Sequence, residues 1–467
     1  PVYTLTERYS TTTDDRYIGS VGLNYSPFNF LTFEGFVGLD KQWSTTENIV
    51  PLGYLADDVA FQRIGAGGMD VTKDQTTQVN VRGNVLISKT FGDLALNSRI
   101  GYWFERNQYD YTQVNGDGFT FDRRTLENIQ TVSDVDQFKS EVQSENMLIQ
   151  IGGVYQDKIS LDLLGRRDAV SLFGPEARTS NNYRVAASYR ISEDFDIPGI
   201  QEFKIRAARA TSGVWPRYSA QYETFNVTAG VATKDQLGNE NLKPAIAIEN
   251  EFGINMNLLN KFTLDVSYVM NNTTDQIIQV PLPAIVGFGT QWQNAGDLEY
   301  RGLEITLGAN VVDNPNFRWD FNVVFDRFKQ EITNLPIPEF RRGTGIQQSD
   351  VFLIKEGEPL GAIYATKWMR SLDEVLDGNP EADLSDYAIN NEGFVVRANQ
   401  LGTGAEVPLP YVDAEGATTH KVGDTNPDFN LGINNTFTIY KNLTVYFLWD
   451  WKQGGDIYSQ TLQFLTR

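Results

Sequence analysis

The stretch "LNKFTLDVSYVM", residues 259–270, decides the fold. Taken at a period of two, Phe262, Leu264, Val266, Tyr268 and Met270 fall on one side, and Thr263, Asp265 and Ser267 on the other. This is the alternation of a half-buried strand. Two surroundings satisfy it. In a soluble sandwich the apolar side meets a protein core, whereas in an outer-membrane barrel it meets lipid and the polar side turns to a wet interior.

The same texture recurs along the chain. Alternating segments are predicted at 17–25, 30–40, 78–90, 94–106, 146–156, 159–165, 183–191, 202–211, 245–257, 261–274, 300–311, 317–330, 428–440 and 443–453, about fourteen strands in all. Many are near ten residues, the length a tilted strand needs to cross a bilayer. Short links (26–29, 91–93, 156–158, 258–260, 313–316, 440–442) alternate with long ones (41–77, 107–145, 166–182, 212–244, 275–299, 331–427), and one intermediate link, 192–201, sits where a short one is due. That alternation sends every long link to one end of the sheet, the arrangement of outer-membrane barrels. A soluble sandwich has no reason to obey it, and a compact domain rarely carries so many long loops.

Apolar faces repeat: Leu94, Leu96, Ile100, Tyr102 and Phe104; Leu303, Ile305 and Leu307; Phe317, Trp319, Phe321, Val323 and Phe325; Leu443, Val445, Phe447, Trp449 and Trp451. The opposite faces carry Asn97 and Arg99, Glu304 and Thr306, Arg318, Asp320 and Asn322, and Thr444 and Asp450. Charges at regular positions are costly in a dry core and solvated in a water-filled barrel. Tyr25, Phe28, Trp103, Trp449 and Trp451, near strand ends, suit an interfacial girdle.

Composition narrows the functional classes. The 467 residues include 28 Phe, 21 Tyr and 8 Trp, but no run of about 18 apolar residues, so helical membrane spans are not expected. A net charge of −21 argues against nucleic acid as a partner. With no Cys and one His, His420, neither a thiolate nor a histidine metal centre is expected, nor a His-dependent triad. No metal, cofactor or catalytic residue is assigned. The chain opens at Pro1 without Met or a leader, and its last segment, "GGDIYSQTLQFLTR", has no obvious closing strand, so a piece of a longer chain is expected.

"GAGG" (65–68) and "GTGAE" (402–406) lack the strand–loop–helix setting and following Lys-Ser or Lys-Thr of a phosphate loop, and they read as mobile outer loop. The acidic run "LDEVLDGNPEADLSD" (372–386) lacks the spacing of a calcium loop and reads as solvated loop. Glycosidase carboxylates are not singled out by any local constellation. The loop aromatics Trp215, Tyr218, Tyr222, Trp292 and Trp368 are the candidate substrate-binding residues, because exposed rings stack on sugar faces or peptide side chains; packing of loop on loop explains them as well.

Several segments resemble the SusC/RagA family of TonB-dependent outer-membrane transporters of Bacteroidetes-type bacteria. "GRRDAVSLFG" (165–174), with Arg167 and Asp168, is similar to the family's Arg-Arg-Asp-Gly-Ser-Ser-x-Phe-Gly stretch. "GNENLKPAIAIENEFGI" (238–254) resembles its Asn-x-Asn-Leu-Lys-Pro-Glu strand start through Asn241, Leu242, Lys243 and Pro244, with Ala245 in place of Glu. The nearest matches are 273–307, with Asn294, Gly296, Gly302 and Glu304, and 422–458, with Gly423, Asp424, Pro427, Asp428, Phe429, Gly455 and Asp456. These motif residues are assigned structural roles. Residues 1–160 match only in barrel texture.

The resemblance implies an all-β, antiparallel transmembrane barrel of about 22 strands around an N-terminal plug. Residues 1–467 would then be part of its wall, with the plug and TonB-contacting box before Pro1 and the closing strands after Arg467. It implies localisation in the outer membrane with extracellular loops, and active import of oligomeric nutrients, glycan or oligopeptide. The partners it implies are a SusD-like surface lipoprotein lid, the TonB-ExbB-ExbD energising complex, outer-membrane lipid, and a dimer of transporter–lid pairs. Where relatives carry an Asp-rich loop before this last segment, the chain keeps Asp413 and Gly416 but few other oxygen ligands, so calcium is not expected there. A structural or assembly barrel, and a soluble β-rich carbohydrate-binding protein, are the competing readings.

Overall fold

The computed structural model describes residues 8–54, 65–228, 230–342, 350–440, 442–459 and 461. Parts of two long links (55–64 and 343–349), Lys441 of the 440–442 turn, and residues 460 and 462–467 of the C-terminal segment lie outside them. Fourteen strands form one sheet in chain order. They are β1 (Tyr9–Phe28), β2 (Leu31–Val50), β3 (Gly68–Phe91), β4 (Leu94–Phe119), β5 (Ile129–Tyr155), β6 (Ile159–Val170), β7 (Thr179–Arg190), β8 (Ile200–Val214), β9 (Ala245–Leu258), β10 (Phe262–Thr274), β11 (Asp297–Asn314), β12 (Phe317–Asn334), β13 (Pro427–Ile439) and β14 (Leu443–Gly454). Each of the fourteen alternating segments is a strand. At one end of the sheet the links are tight. Gln156 and Asp157 (φ 51° and 56°), like Leu259 and Asn260 (φ 54° and 55°), place two consecutive residues in the left-handed region, as turns matched to strand twist require.

The long links are shorter than expected. Most of 41–50, 68–77, 107–119 and 129–145 is strand, so that β4 is 26 and β5 27 residues long, more than twice what a bilayer needs. Stretches of these extensions are polar on both faces, as in "TKDQTTQ" (72–78), and their outer ends close on a small apolar cluster of Met69, Val71 and Phe119 with Ile49 and Ile129 against it. Between that cluster and the apolar band, each ladder continues the strand pairing of the segment it extends.

The chain divides into two compact units. In the first (1–189, 208–247 and 277–294), the apolar face is built from transverse rows such as Tyr25, Phe33, Val85, Ile100 and Ile149, each opposite the next across the ladder. Above Phe104 the same face turns to ion pairs, Arg106 with Glu141 at 2.7 Å and Lys139 with Asp110 at 3.4 Å, which mark where the apolar band ends. On the polar face, Asp162 accepts from Gln150 (2.7 Å) and Arg184 (2.5 Å). Trp103 belongs to this polar face, not to a girdle: its odd position puts it beside Asn97 and Arg99, with the Arg82 guanidinium 4.3 Å above the ring. Strand parity outweighs its aromatic character.

In the second unit (190–207, 248–276 and 295–467), one row crosses five strands through Leu264, Leu307, Val323, Ile433 and Trp449. The next runs through Val266, Ile305, Phe325, Leu431 and Trp451. The opposite face carries Asp265, Thr306 and Asp450, with Val324 an apolar exception. There the Arg206 guanidinium gathers Asp265 (3.3 Å), Glu251 (3.2 Å), Asn255 (2.9 Å) and Ser267. The link between β12 and β13 folds into a four-stranded sheet (Phe340–Arg342, Phe352–Ile354, Ala362–Ala365 and His420–Asp424) and a cluster around buried Met369, Val375 and Val395.

The acidic run is not plain loop: Asp373–Gly378 is a helical turn whose Val375 is buried, and Glu374 is held by Lys367 (2.9 Å) and the Arg370 amide (2.7 Å). Nor are the glycine-rich pieces loose. The Gly65 amide donates to the Tyr54 carbonyl at 2.6 Å, and at Gly67 (φ 68°) a side chain would strike the Val50 carbonyl. Glu406 accepts from the Gly402 amide (2.7 Å) and Asn390 (2.8 Å). Asp413 caps its own turn, accepting from the Glu415 and Ala417 amides at 3.1 and 2.7 Å.

Leu264→Arg in the full-length protein costs about 2–4 kcal/mol at bilayer depth and lowers its level in the outer membrane. Thr306→Arg, one row away on the face of Asp265, leaves that level unchanged. Equal loss from both, measured by heat-modifiable mobility in membrane fractions, overturns the face assignment.

Candidate binding site

Beyond the apolar band, β1 to β5 continue as a wall, and the polar face of β4 and β5 carries rings. Register places Asp74, Tyr111 and Phe138 in one row, and Thr76, Tyr109 and Ser140 in the row beside it, on the face of Asn97 and Arg99. Tyr109 and Tyr111 stack at 6.5 Å, Tyr109 lies 6.3 Å from Phe138, Phe138 meets the edge of Tyr218 at 6.1 Å, and Tyr218 lies 5.8 Å from Tyr222. Five rings from two distant segments thus form one strip. Phe138 is 44% and Tyr222 49% exposed, which leaves ring surface open to a ligand.

Polar groups fix the rings. The Tyr109 hydroxyl donates to Asp74 at 2.6 Å, and that bond, with partial burial and the nearby carboxylate charge, pushes its pKa up to about 12. The Tyr111 hydroxyl donates to Gln113, which donates to Asn115 at 2.8 Å. Burial pushes the Tyr111 hydroxyl up as well, with the charges of Asp136, Asp74 and Asp134 adding to it.

The segment 215–244, which supplies Tyr218 and Tyr222, is anchored rather than floating. Phe173, Ala220 and Leu242 are fully buried together, with Trp215, Ile277 and Trp292 against them. Trp215 sets its edge to Phe173 at 5.7 Å, and Trp292 Nε1 donates to Gln236 at 2.8 Å. Asn294 exchanges two hydrogen bonds with the main chain of Lys243, accepting from its amide at 3.0 Å and donating to its carbonyl at 2.8 Å. Asn239 donates to the Trp292 carbonyl at 2.8 Å, and Gln221 to that of Ser171 at 3.0 Å.

The sequence-predicted rings therefore part company. Tyr218 and Tyr222 lie on the strip, Trp215 and Trp292 serve the anchor, and Trp368 sits 43% exposed in the second unit, bridged to Pro410. Tyr109, Tyr111 and Phe138 were not singled out, because 107–145 reads as a long link; the alternation in "YDYTQV" is the signal that finds them. Among the motif residues, Asp168 is buried and accepts from Asn182 (2.9 Å) and Arg166 (2.5 Å), while Arg167 takes the alternate, apolar-face position opposite Met147. Asn241 donates its amide to Asn239 at 3.1 Å, and Pro244 leads into β9. Gly296 has φ 135°; Gly302 lies under the Tyr300 ring, and Glu304 shares a strand with it on the polar face.

In the second unit Asp424 and Asp456 clasp through the Asp424 amide to the Asp456 carboxylate (2.8 Å) and the Asp456 amide to the Asp424 carbonyl (2.7 Å). A side chain at Gly423 would strike Asp456. Gly455 turns at φ 81°, Pro427 pairs with Gly454 near Asp428, and Phe429 meets the edge of Trp451 at 5.4 Å. Among the described residues no group of three or more His, Cys, Asp or Glu is placed to hold a metal ion.

Leu242→Ala costs about 2–5 kcal/mol of local stability, and Asn294→Ala, which orphans two main-chain groups of Lys243, about 1–3 kcal/mol. Both quicken limited proteolysis within 215–244 while leaving the protease-resistant wall intact. A raised folded-state pKa means that the Tyr109–Asp74 bond contributes fully below about pH 10 and is lost as pH rises through about 12. Difference titration of tyrosinate absorbance then shows a late step that Tyr109→Phe diminishes, leaving the share of Tyr364, which is likewise pushed up to about 12; Asp74→Asn moves the Tyr109 share down.

The family model described as "TonB dependent receptor-like, beta-barrel" matches residues 2–447. TonB-dependent receptor P3 of Formosa agariphila is 24% identical over 99% of this chain and 47% of its own length. TonB-dependent receptor SusC of Bacteroides thetaiotaomicron is 26% identical over 56% of this chain and 25% of its own. Among solved structures, the RagAB peptide importer in its "closed-closed" state superposes with a TM-score of 0.79 at 17% identity, covering 97% of this chain and 49% of that one. The chain spans about half the length of the curated relatives it matches end to end. It belongs to the TonB dependent receptor-like β-barrel family, and its apolar face is the lipid face of an outer-membrane wall.

Proposed function

We propose that the chain is the wall of an active importer, which takes oligomeric nutrients, glycan or oligopeptide, across the outer membrane. The observation that carries this reading is the anchored ring strip on the polar face above the lipid band, where an incoming ligand meets the wall before reaching bilayer depth. Membership of the receptor family supports it, as does a fold shared with a structure titled a peptide importer. Trp215 and Trp292 hold the ligand-facing segment in place, Tyr218 and Tyr222 touch the ligand, and Trp368 contacts ligand or partner from the second unit.

In this reading, a plug and TonB box precede residue 1 and further strands follow residue 467, a SusD-like lipoprotein covers the outer mouth, and transporter–lid pairs dimerise. TonB-ExbB-ExbD supplies the energy. The work is binding and gating, in which a ligand shifts a population between closed and open states, and no bond in the cargo is cleaved.

Deleting the gene abolishes uptake of one nutrient class, and so does collapsing the proton gradient, with the purified complex retaining its ligand unaltered in mass. Undiminished uptake of every tested glycan and peptide by the deletion strain overturns the import reading.

A further inference from the structure

The polar face around the ring strip has a one-sided charge. Following the register outward from Asn80, Glu105 and Ser144, the positions on this face of β3, β4 and β5 carry Asp70, which is buried, and Asp74, Glu105, Asp117, Asp134 and Asp136, and no Lys or Arg. The cations of the same stretches, Lys73, Arg106 and Lys139, occupy the alternate positions and project from the other face, where Arg106 and Lys139 pair with Glu141 and Asp110. Arg217, next in chain to Tyr218, is turned onto the Trp292 ring at 5.9 Å. Among the described residues of β3, β4 and β5, a ligand lying on the strip thus meets rings and carboxylate or amide acceptors and no Lys or Arg to receive a sulfate, phosphate or carboxylate, while Arg16 of β1, in the row of Thr76 and Tyr109, is taken up by Asp40 at 2.5 Å. The carboxylates nearest the rings, Asp74, Asp134 and Asp136, repel those groups.

We propose that Tyr109, Tyr111, Phe138, Tyr218 and Tyr222, flanked by these acids, form a stacking subsite for an uncharged oligosaccharide, and that the acids exclude sulfated and uronate chains. This deepens the import reading and rests on it for its physiological meaning. The chemistry fits the strip in two respects. The C–H faces of pyranose rings lie on aromatic faces, and successive rings, with centroids 5.8–6.5 Å apart and planes turned 22–89° to one another, present surfaces in turn to consecutive sugar units. Sugar hydroxyls are donors that suit a surface of acceptors, and Asp74, already bonded to Tyr109, retains further lone pairs for them. A peptide recognised through its main chain needs unpaired strand groups, but Asp74, Tyr111 and Phe138 lie in ladder register across β3, β4 and β5 and offer side chains at their faces.

The test is binding of the detergent-purified full-length protein to an array of neutral, sulfated and uronate oligosaccharides, together with Lys-rich decapeptides. The expected result is retention on neutral oligosaccharides, weakened about tenfold or more by Phe138→Ala and by Tyr222→Ala. Asp134→Asn/Asp136→Asn then admits sulfated chains that the parent rejects. Preferential retention on anionic chains or peptides, retention insensitive to both ring variants, or no retention at all overturns the proposal; unchanged circular dichroism and heat-modifiable mobility certify each variant as folded. The import reading is scored apart, in cells. Uptake that survives in the Phe138→Ala/Tyr222→Ala strain but is lost in the deletion strain overturns the subsite alone.

Discussion

Every main-chain N–H and C=O at bilayer depth has to find its partner within the protein, because lipid offers none. The wall meets this with a ladder that runs strand to strand in chain order, and the rest of the structure follows from it. Once the ladder fixes the strands, side chains alternate between two faces except where a bulge shifts the register, as between Asn115 and Gly116, and between bulges each residue's surroundings are set by whether its number is odd or even. Rows such as Leu264, Leu307, Val323, Ile433 and Trp449 are the product. So is Trp103, which the ladder turns away from lipid and under Arg82 despite its aromatic ring.

The same constraint explains how the polar face tolerates charge. Arg206 stands among Asp265, Glu251, Asn255 and Ser267, a cluster in which each ion has hydrogen-bonding partners, as groups withdrawn from bulk water need. Asp162 between Gln150 and Arg184 is a second instance. Where the strands leave the lipid band, the apolar face exchanges its aliphatic rows for Arg106–Glu141 and Lys139–Asp110, and the ladder simply continues into water.

How far the sequence reveals this depends on whether a residue's environment leaves a local trace. All fourteen strands were legible, because lipid on one side and water on the other imprint a period of two on every crossing segment. The extensions of β3, β4 and β5 were not, since both of their faces meet water and the periodic contrast shrinks to short runs such as 109–114. Half of the ring strip was hidden for that reason, and the join between Phe138 and Tyr218 spans 80 positions in sequence, a pairing no local pattern reports. Tyr218 and Tyr222 were legible as loop aromatics, whereas the retirement of Trp215 and Trp292 into the anchor depends on Phe173 and Leu242, which only the fold brings to them.

The tall, wet extension of β4 and β5 separates two selective pressures within single strands. The even-numbered residues from 94 to 104 of β4 answer to the bilayer, and the odd-numbered residues from 105 to 115 answer to the wet face, on a scaffold whose main chain is already committed. Substitutions among the latter alter neither insertion nor the ladder. Side chains on that face can therefore change one at a time, without passing through forms that fail to assemble.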